Sequence, residues 1–394
     1  MKKVALSSLS LALLAATGVA HAQSSVTLYG VIDESLQFVN NVATGAAGNM
    51  PTGNKNQIGL AGGNLQGNRW GLKGAEDLGG GLTAIFQLEN GFNLNNGALS
   101  KSSTMFNRQA FVGLSSNHYG TVTLGRQYDP TTDLVQPLTA DGYFGSMFAT
   151  PGDVDNNDNS ARFSNAVKYT SPNLNGFQFE GMYALGGVAG RTGSGQTWAA
   201  AATYGVGSLS IAAGYLQQDN ASTLAARDGW SSTTSDGVFD TTYNINGQYA
   251  SAKSIGIAQV AVQYVAGPFT VSGRYSNAQY KADTFSSFVT TQRYNVAGAF
   301  VGYQLTPAAL LGLGYTWTHG SGDSSNTYNQ ISIGADYNLS KRTDLYALAA
   351  WQRASGQQPG AAAGTTAGAS IGSYGIESAS NSQTMVNIGI RHKF

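Results

Sequence analysis

Cysteine is absent from the 394-residue chain, which excludes a disulfide framework and thiolate metal sites. Charge is scarce too: Asp, Glu, Lys and Arg make up 11% of residues, against about 25% in soluble proteins. Beyond residue 22, no stretch approaches the ~18 consecutive apolar residues of a helical membrane span. What the chain has in quantity is glycine, at 52 residues, and tyrosine, at 20. A chain so composed has to satisfy its backbone polar groups by some route other than a buried helix.

The N-terminus points to export. Lys2 and Lys3 precede an uncharged, largely apolar run from Leu6 to Ala20, and Ala20-His21-Ala22 is an A-x-A cleavage site. Residues 1–22 read as a cleaved signal peptide of the bacterial type, leaving 23–394 as a single domain. Removing two lysines from the balanced 21 basic and 21 acidic residues leaves a slight acidic excess.

The C-terminus shows the pattern on which the rest is built. Val386, Ile388, Ile390 and Phe394 share one parity, and Asn387, Gly389, Arg391 and Lys393 the other. That two-residue period is a strand with one apolar and one polar face. Met385 is the apolar exception, and His392 a polar ring on the apolar side. The alternation recurs at 269–276, 308–319 and 326–339, where Gly312, Gly314 and Gly334 fall on the polar parity. Sixteen such segments are found, among them 25–39, 56–74, 81–92, 104–115, 121–129, 162–171 and 384–394.

Their connections alternate between short and long. Short ones such as Pro172-Asn-Leu-Asn175 and Gly267-Pro268 carry the Gly, Pro or Asn of tight turns. Long ones fall at 40–55, 93–103, 130–161, 186–195, 220–253, 282–289, 320–325 and 355–383. Both termini then lie on the short-turn side. Aromatics cluster beside the short turns: Tyr119, Tyr169, Phe177, Phe269, Tyr303, Tyr337 and Phe394. The layout predicts an all-β, 16-stranded antiparallel transmembrane barrel with short periplasmic turns, long extracellular loops and an aromatic girdle. By composition, 220–253 and 355–383 read as solvent-facing loops without a packed core, with 243–252 open as an additional strand.

Five stretches, in order, carry a resemblance: Ser25-Val-Thr-Leu-Tyr-Gly-Val-Ile-Asp33, Arg69-Trp-Gly-Leu-Lys-Gly-Ala-Glu-Asp-Leu-Gly-Gly-Gly-Leu82, Thr121-Val-Thr-Leu-Gly-Arg-Gln127, Val167-Lys-Tyr-Thr-Ser-Pro172 and Gly389-Ile-Arg-His-Lys-Phe394. The chain resembles the general, non-specific porins of Gram-negative β-proteobacteria from end to end. The resemblance implies a homotrimer in the outer membrane, each barrel holding a water-filled channel for ions and small hydrophilic solutes. It implies a third long loop folded inward, and a terminal Phe394 read by the outer-membrane assembly machinery.

On that pattern the constriction would set Asp133 and Asp141 of the acidic loop 130–161 against Arg69, Arg108 and Arg162. Asp153, Asp155 and Asp158 add to the loop's acidity. Arg69 shares parity with Gly71 and Lys73, consistent with an inward side chain. Arg108 shares parity with Val112 and Leu114, which alone would turn it outward, so it needs a bulge or a subunit-facing wall. Arg162 sits at a loop-to-strand join, where parity is silent. Three arginines at a narrowing predict a mild anion preference.

Two other readings compete. A surface-binding, adhesin-like barrel would use loops 220–253 and 355–383. A barrel hydrolase would need a converging site, yet His118, His319 and His392 are scattered over the barrel plan, and His319 with Asp323 is the one weak pair. No phosphate loop, metal-ligand cluster or basic nucleic-acid patch is present, so no cofactor and no nucleic-acid partner is expected; the expected partners are a second and third copy, membrane lipids and passing solutes.

Overall fold

The computed structural model describes residues 25–47, 50–191, 193–221 and 245–394. The expected signal peptide and residues 222–244 lie outside the described residues. Strands dominate. They run β1 (Ser25–Ala47), β2 (Met50–Gly62), β3 (Arg69–Gly79), β4 (Leu82–Gly91), β5 (Gln109–Ser116), β6 (Gly120–Gln127), β7 (Phe163–Thr170) and β8 (Phe177–Ala184). The second half holds β9 (Thr197–Val206), β10 (Leu209–Asp219), β11 (Ser254–Ala266), β12 (Phe269–Lys281) and β13 (Gln292–Thr306). It ends with β14 (Ala309–Ser321), β15 (Asn326–Asn338), β16 (Thr343–Gly356) and β17 (Ser382–Lys393).

Apart from β2 and β3, which both pair with β1, each strand pairs antiparallel with the next, and β17 pairs with β1 from Val31↔Lys393 to Val39↔Met385, closing the cylinder. β3 and β2 occupy successive stretches of one edge of β1, at Ser25–Val31 and Glu34–Ala47. They are therefore one stave broken at 63–68, and the barrel has sixteen staves. Closure of the sheet on itself is the arrangement by which strands cross a bilayer.

Alternation along each strand sorts the faces. On β1, Val26, Leu28 and Leu36 are exposed on the outer wall, while Asp33, Ser35 and Gln37 are buried inside. On β17, Ile388 and Ile390 point out, and Met385 and Asn387 point in. The apolar exception has a cause: Met385 packs inside the barrel with Val39, Leu65, Phe144 and Met147. The lumen is only partly wet.

Four sequence expectations change. The segment 56–74 is interrupted because residues 63–68 fold inward: Asp33 accepts the backbone N–H of Leu65 (2.7 Å) and Gln66 (2.9 Å). The connection 40–55 is mostly strand, since β1 and β2 continue past the barrel as a hairpin with a register shift between Val39 and Val42. The loop 355–383 is packed rather than solvated, with Ala367, Ala369 and Ile371 fully buried. Inward-facing glutamines bind its backbone: Gln352 exchanges bonds with Ser370 (2.7 and 2.8 Å), and Ile371 and Gly372 donate to Gln383 and Gln330. Finally, the described part of 243–252 forms a short 3-10 turn at Gly247–Tyr249 that buries Ile245, Tyr249 and Ala252.

The long loop between β6 and β7 folds into the barrel as two short helices, Pro130–Leu134 and Asp141–Phe144, joined by 3-10 turns. Its aromatic tip docks on the opposite wall, where Phe144 and Phe148 stack at 5.1 Å beside Phe300. Glycines make the socket. A Cβ at Gly334 would lie 2.6 Å from the Phe144 ring, one at Gly314 2.7 Å from Phe148, and one at Gly312 would overlap Phe144. Gln330 and Ser332 donate to the Met147 carbonyl at 2.8 and 2.9 Å. The polar-parity glycines of β14 and β15 are thus the seat of an inward-folded loop.

Candidate functional site

The inward loop leaves a slot of about 580 Å³ against the β3–β7 wall, with Arg69, Arg108, Arg162, Asp133, Asp141 and Asp158 in its lining. Arg69 reaches it from the first position of β3, on the inward parity that pairs with Val31. Arg108 reaches it by an irregularity. Gln109 pairs with Glu89 in the ladder, yet the Arg108 N–H also donates to the Glu89 carbonyl (3.2 Å), so two residues oppose one as in a bulge. The Asn107 side chain then bonds both backbone groups of Gly91 at 2.9 Å, ending the ladder. The bulge turns inward a side chain whose parity alone would face lipid.

Tyr128 and Glu89 organise the cationic wall. Arg108 donates to Glu89 at 2.8 Å and to the Tyr128 hydroxyl at 2.7 Å. Arg69 lies 3.7 Å from the other Glu89 oxygen. The guanidinium groups of Arg108 and Arg162 lie 5.7 and 5.5 Å from the Tyr128 ring centre, within cation–π range. Arg69 and Arg108 thus flank the Glu89 carboxylate, and Arg162 joins them against the Tyr128 ring.

The loop acids divide by task. Asp129 caps the first short helix, accepting the N–H groups of Thr131 (2.8 Å) and Thr132 (3.4 Å). Asp153 accepts the N–H of Asp158 (2.9 Å) and Ser160 (3.0 Å), closing a turn. Asp155 fastens the loop to β12 through Arg274 at 2.8 Å. Asp141 lines the slot, but its oxygens accept from Gln136 (3.0 Å), Asn157 (2.7 Å) and Thr139. Asp133 pairs with Lys168 of β7, so its nearest counter-charge is a lysine and not the arginine cluster. Asp158 is held by the Ser373 hydroxyl of the last long loop.

These loop groups lie outside the spanning strands. Burial pushes the Asp141 carboxyl up to about 6, against the pull of Arg274. Burial first, then neighbouring carboxylates, pushes Asp153 and Asp158 up to about 7. Burial works against the Asp155 charge as well, but Arg274 and two hydroxyls hold that carboxyl below the usual range.

The sequence profile of the Gram-negative porins matches residues 8–357. An outer membrane porin protein of Bordetella pertussis is 30% identical, and outer membrane porin protein 32 of Delftia acidovorans 31%, each alignment covering all of both chains. The chain belongs to the Gram-negative porin family. Among solved structures, this porin matches the anion-selective porin from Comamonas acidovorans at 26% identity and a TM-score of 0.68, over 94% of this chain and 100% of that one. It is an outer-membrane protein that forms a channel for passive diffusion.

All five residues assigned to the porin's constriction from sequence line one slot, though not in the expected opposition. Glu89 and Tyr128 line it as well, and Lys168 pairs with its Asp133, though the sequence assigned none of the three. Glu89 and Lys168 carry inward parity, a usable signal; Tyr128 lies beyond the end of β6, where periodicity stops. Phe394 ends β17 on the outer wall, its backbone exchanging bonds with Gly30 at 3.0 and 3.1 Å. Its ring covers Gly30, where any Cβ would overlap it. His392 lies outside against Thr343 (2.9 Å), and His319 stacks on Trp317 and meets Thr327 at 2.9 Å.

Proposed function

We propose that the chain, matured to a single 23–394 domain, is a general diffusion channel with a mild preference for anions, set in the Arg69, Arg108 and Arg162 slot. The observation that carries this is the charge balance there. Arg69 and Arg108 flank Glu89 and Arg162 acts on Asp158, while Asp133 is occupied by Lys168 and Asp141 by loop donors, so the arginines outnumber the carboxylates that face them. The Debye length is about 8 Å at physiological salt, so charges in the vestibules are screened and those at the narrowing govern passage. The selectivity stated for the Comamonas relative agrees with this reading. No chemical reaction is assigned to the chain.

The reading includes a homotrimer and an assembly role for Phe394. Glu34 supports the first. It sits on the outer parity of β1 beside Ile390 of β17 and Gly62 of β2, and neither carboxylate oxygen has a hydrogen-bond donor. The oxygens are shielded within the wall, and a buried carboxylate without a donor carries an uncompensated desolvation cost of about 1–3 kcal/mol, which a donor from another copy seated on this wall would offset. The seating of Phe394 over Gly30 supports the second.

Planar-bilayer recordings of the purified protein test the channel. Stepwise openings in groups of three, with a reversal potential in a salt gradient of the sign for anion preference, are expected. Clear cation preference would overturn the arginine-slot reading, and independent single steps would overturn the trimer.

A further inference from the structure

Between the slot and the short turns, the lumen wall of β1, β3, β4 and β5 holds a second hollow, of about 280 Å³. Two rows of inward side chains build it. Thr27, Lys73, Gln87 and Phe111 pair in register across the four strands, and Ser25, Ala75 and Ile85 form the next row toward the turns. Their orientation follows from their neighbours, since Val26, Leu28 and Val112 of the same strands are exposed on the outer wall. The floor is apolar, made by Ala75, Ile85 and Phe111, and Lys73 is the charged residue in its lining.

Lys73 is free to take a ligand. It is exposed, and among the described residues it has no hydrogen-bond or ion-pair partner; its ammonium lies 5.5 Å from the centre of the Tyr29 ring. The wall carboxylate one row up, Glu89, is held by Arg108 and by the Tyr29 hydroxyl, each at 2.8 Å. Asp77, toward the turn, accepts the backbone N–H of Gly79 at 2.8 Å. Tyr29 marks the border between slot and hollow. Its ring lies over Gly71, where a Cβ would come within 2.8 Å of it, and its hydroxyl accepts from Gln87 at 2.7 Å. Arg69 and Lys73 stand on either side of that ring on one strand, about 13 Å apart at the usual rise per residue. Along β3, Lys73 is the next cation that an anion leaving the slot meets.

We propose that this hollow is a binding station for small aromatic carboxylates, with the carboxylate on Lys73 and the ring against Phe111 and Ile85. Charge alone does not choose this ligand; the floor does. An inorganic anion gains nothing from Ala75, Ile85 and Phe111, whereas an aromatic ring buries apolar area there and meets the Phe111 ring in an offset or edge contact. The size agrees, since the hollow sits at the small end of ligand pockets, which run from about 300 Å³ upward, and so suits a single ring. Phe111 lies two strands from Lys73, about 10 Å at the usual spacing, a gap that a lysine stem and a benzoate bridge together. The station rests on the channel itself and not on the anion preference of the slot above it.

Planar-bilayer recording in potassium chloride, with benzoate, acetate or benzyl alcohol added to both sides, tests this. Benzoate should reduce the current saturably at concentrations where acetate, with the charge but no ring, and benzyl alcohol, with the ring but no charge, do not. Lys73→Gln should raise the half-blocking concentration about tenfold, the size of one hydrogen bond to a charged group. Phe111→Ala should raise it about fivefold, through loss of the ring contact. A wild-type melting curve by circular dichroism establishes that each variant is folded. Absence of block by benzoate overturns the station. Equal block by acetate overturns the role of the apolar floor, and equal block by benzyl alcohol overturns the carboxylate contact. Block that survives Lys73→Gln but is lost in Arg69→Gln puts the ligand in the slot and overturns this site.

Discussion

At the scale of single residues, Arg108 shows how a local irregularity decides which side of a membrane wall a charge faces. Sequence parity turns it toward lipid; the bulge opposite Glu89 turns it into the slot, where Glu89 and Tyr128 hold it. Arg69 was legible because it begins a regular strand, and Arg108 was not, because periodicity is blind to a doubled residue. Removing one charge at about 8 Å in water alters an ion's energy by roughly 0.5 kcal/mol, about a twofold change in partition. Arg108→Gln should therefore lower the anion-to-cation permeability ratio about twofold, and Glu89→Gln should raise it, both read from reversal potentials. An unchanged ratio in both variants would remove these residues from the selectivity site. The loop acids add a pH dependence. Asp141, Asp153 and Asp158 are raised toward 6 and 7, so they lose charge as pH falls through that range while the arginines keep theirs. Anion preference should rise from about pH 8 to about pH 5; a fall would mean that these carboxyls titrate elsewhere or do not face the permeating ions.

At the scale of elements, strands and turns were readable and the loops' destinations were not. A period of two is imposed by the pleat and shows in any window, which is why β11 and β12 fall where the sequence puts them. The seat of the inward loop is written in a less direct form, as glycines on the wet parity of distant strands. Gly312, Gly314 and Gly334 read only as polar-parity positions, and they are the hollow that receives Phe144 and Phe148. The last long loop misled for a similar reason: its Gly, Ala and Ser content suits solvent, yet Gln330, Gln352 and Gln383 satisfy its backbone from the wall. Filling the seat should displace the loop. Gly334→Leu adds bulk where a single Cβ already crowds Phe144, and overpacking of this kind costs typically about 1–3 kcal/mol. The expected result is an assembled barrel with a shifted single-channel conductance and a lower unfolding temperature. Wild-type conductance with unaltered stability would show that the aromatic tip is not what holds the loop.

For the whole molecule, the outer wall is two surfaces rather than one. The β12–β17 wall has rows of tyrosines bonded to amides, Tyr275 to Asn295 and Tyr315 to Asn329, as a surface that meets lipid does, whereas the wall around β1 exposes Val26, Leu28, Ile58 and Leu60 and holds beneath them the donorless carboxylate of Glu34. Apolar exposure alone does not separate a lipid face from a subunit face, since both are greasy. The Glu34 carboxylate bears on the choice, because its shielded oxygens have no donor within the chain and lipid offers none, whereas a second copy that reaches them can supply one. The sign of one substitution therefore distinguishes the two. If the wall meets lipid, Glu34→Leu removes a solvation penalty and stabilises the barrel without altering its association. In the proposed trimer, the same change removes a bonded group from the interface, so the temperature at which the trimer dissociates on a mild-detergent gel should drop, with Glu34→Gln intermediate because its amide keeps one acceptor oxygen. A trimer that survives Glu34→Leu at the wild-type temperature would place the subunit contact on another wall.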